Sequence, residues 1–142
     1  MARPLYENET TLEKERTLAE QLIAAWGCSV GKLPIRYGID YAFLRDGALV
    51  GFAELKCRTI RRDAFPTMMV SLGKMISAQA LHKVTHVPIV LVVEWTDCVG
   101  WTEIAGKSAC KYKVALGGRK DRNDDQDNDV VALIPINEFR RL

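Results

Sequence analysis

Asp40, Glu54 and Lys56 are the residues of this chain whose types and spacing could do chemistry together. Glu54 and Lys56 stand two apart in "GFAELKC" (residues 51–57), so on an extended strand they project from the same face. The rest of that stretch is small and apolar, and burying a charged pair there is costly unless each charge meets a partner. Asp40 lies on the preceding extended stretch, "RYGIDYAFL" (residues 36–44). Two convergent carboxylates make an oxygen-rich site for a hard divalent cation such as Mg²⁺, with the main-chain carbonyl of Leu55 as a third oxygen. An ion held there would neutralise the acids, polarise a phosphodiester and lower the pKa of a bound water. Lys56 would orient or deprotonate that water, or stabilise the charge growing on the phosphate. In outline this is phosphodiester hydrolysis.

The elements that must hold these groups are readable from periodicity. Residues 11–26, "TLEKERTLAEQLIAAW", predict a helix capped by Thr10 or Thr11 and stopped by Gly27. Leu12, Leu18, Ala19, Leu22, Ile23 and Trp26 form its apolar stripe, and Glu15 falls near the middle of that stripe. An acid in a core-facing row needs a cation, so Glu15 joins the candidate constellation, whereas Glu20 at the flank can be solvated. Helix-start acids are also favoured by the macrodipole, which is the plain alternative for Glu15.

Residues 28–35 read as a short strand or a loop, and residues 36–44 alternate as a strand. "RDG" then turns the chain and residues 48–57 return, predicting a β-hairpin with Val50, Phe52, Glu54 and Lys56 on one face. The register of the turn decides whether the acids meet. A plain two-residue Asp46-Gly47 loop pairs Asp40 with Ala53 and leaves Glu54 across the sheet. A three-residue loop pairs Asp40 with Phe52 and makes Glu54 a same-face diagonal neighbour, and a bulge does the same job. The chemistry requires one of the latter two.

After a basic connection (residues 58–66), a second helix is expected to start near Ser71, followed by a buried, central strand "VPIVLVVEWTD" and a further strand "GWTEIA". Residues 106–129 read as a mobile charged insertion, and "VVALIPINEF" as a closing strand or arm. Outside residues 119–129 the chain carries 17 basic and 13 acidic residues, compatible with a phosphate-binding surface without requiring one. Four cysteines without CxxC spacing, no signal-peptide core and no apolar run of membrane-spanning length point to a soluble protein of a reducing cytoplasm. "GCSVGKL" is too short between glycines for a phosphate loop and has Leu33 where Ser or Thr should hold magnesium. The acidic stretch from Asp121 lacks the glycine and glutamate of an EF-hand. His82 and His86 have no third ligand and are read as surface or helix-end residues. Trp26, Trp95 and Trp101 are read as core or interface aromatics.

A helix with an inward Glu, a hairpin bearing Asp and then ExK, a helix and a strand resembles the PD-(D/E)XK nuclease superfamily, and within it the small Holliday-junction resolvases and phage endonucleases of branched DNA. The likeness spans about residues 12–105; Ile39 stands where the motif has proline. It implies an α/β fold with a restriction-endonuclease-like core, a mixed sheet flanked by helices in α-β-β-β-α-β order, as one domain over residues 1–142. It implies a Mg²⁺-dependent endonuclease, with Mn²⁺ able to substitute, acting on DNA. Catalytic and metal-binding roles fall on Asp40, Glu54, Lys56 and Glu15, with the Leu55 carbonyl as ligand. Arg58, Arg61 and Arg62, just after the ExK strand, would flank the metal where a phosphate backbone passes; Lys74 and Gln79 match auxiliary positions of related nucleases. Junction cutting needs two incisions, so a homodimer is expected, in a host cytoplasm if the gene is a phage's. The rivals are a non-catalytic nucleic-acid-binding module on the same fold, and an interaction protein whose charged hairpin face is simply wet.

Overall fold

Helix α1 (Glu9–Trp26) ends where Gly27 turns into the left-handed region and donates its N–H to the Ile23 carbonyl. Its inward row runs Glu15, Leu18, Ala19 and Leu22, all buried, while Glu20 is exposed. That is the spacing of one helical face. The structure is a computed structural model that describes residues 9–117 and 129–142.

Strand β1 (Ser29–Lys32) opens a six-stranded mixed sheet and pairs antiparallel with β2 (Tyr41–Arg45), which pairs antiparallel with β3 (Ala48–Cys57). β3 is joined in parallel by β5 (Ile89–Glu94), followed antiparallel by β6 (Val99–Ala105) and by the two residues of β9 (Arg140–Arg141). The order β1-β2-β3-β5-β6-β9 makes β5 interior, as its unbroken apolar run predicts. β4 (Thr67–Ser71), β8 (Asp129–Pro135) and β7 (Lys113–Gly117) form a second, three-stranded antiparallel sheet. Part of the expected charged insertion at 106–129 is therefore the edge strand β7; its residues 118–128 lie outside the described residues.

The main sheet is covered on both faces. On one, Leu18, Ala19 and Leu22 of α1 meet Tyr41, Phe43, Ala53, Leu55 and Val92. On the other, Phe52, Ile89, Leu91, Val93 and Ile104 pack against Met75 and Ala78 of α2 (Leu72–Thr85) and against Met68, Val70, Ala132 and Ile134 of the small sheet. The alternation of β3 thus divides two cores, and Glu54 falls on the α2 side. Ser71 caps α2, its hydroxyl accepting from the Gly73 N–H at 3.2 Å, so the helix starts where expected.

The aromatic and histidine readings hold. Trp95 is core, and Trp26 meets Phe43 and Trp101 edge-on at 5.4 and 6.0 Å. His82 and His86 finish α2: Nδ1 of His82 lies 2.9 Å from the Val87 carbonyl oxygen, and His86 adopts a left-handed C-cap. Among the described residues the cysteines are free, and no helix is long and apolar enough to cross a membrane.

Arg62 is a structural clasp. Its Nη2 donates to the carbonyls of Ile136 (3.0 Å) and Phe139 (2.9 Å), and its guanidinium lies 5.9 Å from the centre of the Trp95 ring. Removing a charged donor to two buried-side carbonyls should cost about 1.5–3 kcal/mol. Arg62→Ala is expected to lower the urea midpoint accordingly with an unchanged slope; an unshifted midpoint would contradict the clasp.

Candidate active site

The hairpin carries the decisive geometry. Asp46 and Gly47 both have positive φ (52° and 77°), a two-residue type I′ turn that Asp-Gly favours, so Arg45 pairs with Ala48 and Leu44 with Leu49. The ladder then skips Val50: Phe43 pairs with Gly51, Ala42 with Phe52 and Tyr41 with Ala53. Without that bulge the two-residue turn would leave Asp40 opposite Ala53. With it, continuation of the register sets Asp40 across from Glu54. Of the alternatives weighed from the sequence, the short turn and the bulge occur together, and the bulge does the aligning.

Asp40 is pinned from both sides. Its carbonyl accepts the Leu33 N–H at 2.8 Å, extending the β1–β2 ladder, and its Oδ2 accepts the Leu55 N–H at 3.0 Å. Just before it, Gly38 sits at φ +69° with its carbonyl accepting from Lys74 Nζ at 2.7 Å. A Cβ added at Gly38 would lie 2.7 Å from Ser77 Oγ. Gly38→Ala combines left-handed strain with that clash, about 1–3 kcal/mol in all, and should push the Asp40 segment off α2. A drop in thermal stability with a weakened metal affinity is expected, and Ser77→Ala in the same chain should recover part of both. An undiminished affinity would show that Gly38 does not position Asp40.

Glu54 is 1% exposed. Its Oε2 lies 3.2 Å from Lys56 Nζ and its Oε1 lies 3.3 Å from Lys74 Nζ, yet Oε1 accepts no hydrogen bond because the lysine is misaligned. Burial pushes the Glu54 carboxyl above the usual range, opposed by Lys56 and Lys74 and reinforced by the neighbouring Asp40. The push of Asp40 on the Glu54 carboxyl is the electrostatic sign of their closeness.

Glu15 reaches this cluster from the helix side, through a residue that the sequence did not single out. Lys32 Nζ, at the end of β1, is 3.2 Å from Glu15 Oε2 and 3.7 Å from Asp40 Oδ1, and 4.9 Å from the centre of the Tyr41 ring. Burial works against the Lys32 charge, but Asp40 and Glu15 outweigh it and raise its pKa. Among the described residues no three His, Cys, Asp or Glu side chains are close enough to hold an ion by themselves. Glu15 is inward as expected, but it joins Asp40 by way of a lysine.

The expected DNA-facing residues divide. Arg58 and Lys74 line one groove of about 520 Å³ with the catalytic candidate Lys56 and with Gly38, Ser71 and Ser77, and burial lowers the pKa of Arg58 against the pull of Glu54. Arg61 and Arg62 do not flank this groove: they line a separate one with Asp97 and Arg141, Arg61 pairing with Asp63 (3.3 Å) and Asp97 (3.5 Å). Gln79 is exposed on α2 beside His82 and His86, away from Glu54. Its neighbours Ala78 and Met75 take the inward face of the helix.

The chain and its fold have relatives. A sequence profile of the family described as "Phage putative PDDEXK endonuclease" matches residues 1–142. No curated protein matches the sequence. Among solved structures the chain is similar to Hjc of Archaeoglobus fulgidus, a Holliday junction resolvase from an archaeal hyperthermophile. The TM-score is 0.55 at 11% identity, over 68% of this chain and 74% of that one. At that identity the likeness is one of fold.

Proposed function

The chain belongs to the phage PDDEXK endonuclease family, and from that premise we propose that it is a Mg²⁺-dependent endodeoxyribonuclease, with Mn²⁺ able to substitute, acting on branched or recombining DNA. The observation that carries the reading is the bulge at Val50, which sets Asp40 across from Glu54 on the face turned to α2. The preference for junctions rests on the fold shared with a resolvase and is an analogy. Two coordinated incisions need two sites, so a homodimer is part of the proposal, as is action in the host cytoplasm.

The donor set fits a hard divalent ion. Glu54 Oε1 is buried without a hydrogen bond, Asp40 is held nearby, and the Leu55 N–H on Asp40 puts the Leu55 carbonyl on the same edge of β3. Asp40, Glu54 and the Leu55 carbonyl would hold it. Bound there, the ion would polarise the phosphodiester and acidify a water. The chain's own part is positional and electrostatic. Lys56, half in the groove, orients the attacking water and faces the charge that grows on the phosphate. Arg58 and Lys74 hold the backbone on either side.

Cleavage of four-way-junction, linear duplex and single-stranded DNA, with Mg²⁺ and with EDTA, tests this directly. Metal-dependent incision, greatest on the junction and lost in Asp40→Asn and Glu54→Gln, is expected. Binding without incision of any substrate by the folded protein would favour the non-catalytic module instead.

A further inference from the structure

Glu15, Asp40 and Glu54 stand beside three ammonium groups, those of Lys32, Lys56 and Lys74. The lysines are not equivalent. Lys56 and Lys74 stand on Glu54, inside the groove, whereas Lys32 stands on the opposite flank of Asp40, between it and Glu15. In two-ion phosphodiester sites a second ion lies about 3.5–4 Å from the first and shares a carboxylate with it. Here Asp40 is the carboxylate that could be shared, and the oxygen it offers on the Glu15 side, Oδ1, faces Lys32.

We propose that Lys32 stands in for a second metal ion, its ammonium locked between Glu15 and Asp40, so that the pocket takes a single divalent ion. This rests on the metal-dependent reading above. Three features fix Lys32 in that place. Its backbone is held by β1 in register with Tyr41, its ammonium lies over the Tyr41 ring, and Glu15, nearly fully buried, is hydrogen-bonded to it at 3.2 Å. A second ion could enter only by expelling Lys32. That would set a second divalent charge beside the first, next to a groove lined by Lys56, Arg58 and Lys74. Lys32 is thus a positioning residue: it holds Glu15 off the metal and fixes the outer oxygen of Asp40. A 42% exposed side chain can be truncated without opening a cavity, but the loss takes this lysine from the buried Glu15, so Lys32→Gln, which keeps an N–H donor there, is paired with Lys32→Ala and folding of both is checked by circular dichroism.

The test is titration of the full chain with MnCl₂, counted by calorimetry and by electron paramagnetic resonance, which distinguishes an isolated Mn²⁺ from an exchange-coupled pair. Wild type is expected to bind one uncoupled ion per chain, and Lys32→Arg the same. Lys32→Ala, with Lys32→Gln as a second variant, should bind two and show the coupled signal. Adding Glu15→Gln to Lys32→Ala should return the count to one. Two coupled ions in the wild type, or one ion in folded Lys32→Ala and Lys32→Gln, would overturn the proposal while leaving the active site intact. No ion in any of these chains would sink both.

Discussion

Lys56→Ala is expected to slow DNA cleavage by about 10²–10⁴-fold while the protein still binds its metal and folds normally. The side chain is 30% exposed at the groove, so its loss leaves water rather than a void. What disappears is an oriented cation where negative charge grows in the transition state, an interaction weaker in the ground state. Asp40→Asn and Glu54→Gln should cost at least as much activity but by another route, losing metal affinity as well. The three losses will not add, because each disables the same unit. Lys56 is also the strongest influence holding the Glu54 carboxyl down against its burial. Without it the acid titrates at higher pH, so metal binding by Lys56→Ala should fail at a higher pH than in wild type as acid is added. Cleavage within tenfold of wild type, or an unmoved pH midpoint for metal binding, would remove Lys56 from the role given it.

Glu54→Gln is expected to raise the stability of the metal-free protein at neutral pH while abolishing cleavage. The two lysines do not fully repay the drying of this carboxylate, which is why its pKa is pushed up. The sign follows from proton linkage. With a native value above the unfolded one, the folded chain holds more protons than the unfolded chain between those two values, so wild-type stability falls as pH rises through that window. The advantage of the variant should therefore be full above the native pKa and vanish below the unfolded value, about 4.3. Urea unfolding in EDTA across that range measures it. A variant less stable than wild type at neutral pH would show that Lys56 and Lys74 outweigh the burial.

Much of this site is written locally. The 3.6-residue row through Glu15, Leu18, Ala19 and Leu22 turns Glu15 inward whatever lies beneath it, and the period-two alternation puts Glu54 and Lys56 on one face. The Asp46-Gly47 turn is equally local. The bulge at Val50 is not, since no residue type there marks it; only the demand that two acids meet pointed to it. Lys32 was invisible for a different reason. A lysine at the end of a short strand gains a role only from what its long side chain reaches, and both partners are distant in sequence. Arg62 shows the reverse: a basic run beside the ExK strand suggested phosphate, but the 3₁₀ turn Arg62–Ala64 points its guanidinium at the carbonyls of residues 136 and 139. The second sheet is hidden because β4 is a short run leading directly into α2 and β7 lies within a strongly charged stretch.

The parallel seam between β3 and β5 has a consequence for the order of assembly. The hairpin that gathers Asp40 and Glu54 closes over a loop of two residues, whereas β5 arrives only after a crossover that itself carries β4 and the α2 lysine that meets Glu54, and β4 waits for β8. Short loops close early and distant pairings late. The acids are expected to come together in water and to be sealed in last, with the penalty of drying Glu54 falling beyond the rate-limiting barrier. In a chevron experiment Glu54→Gln should slow unfolding and leave the refolding rate where it was.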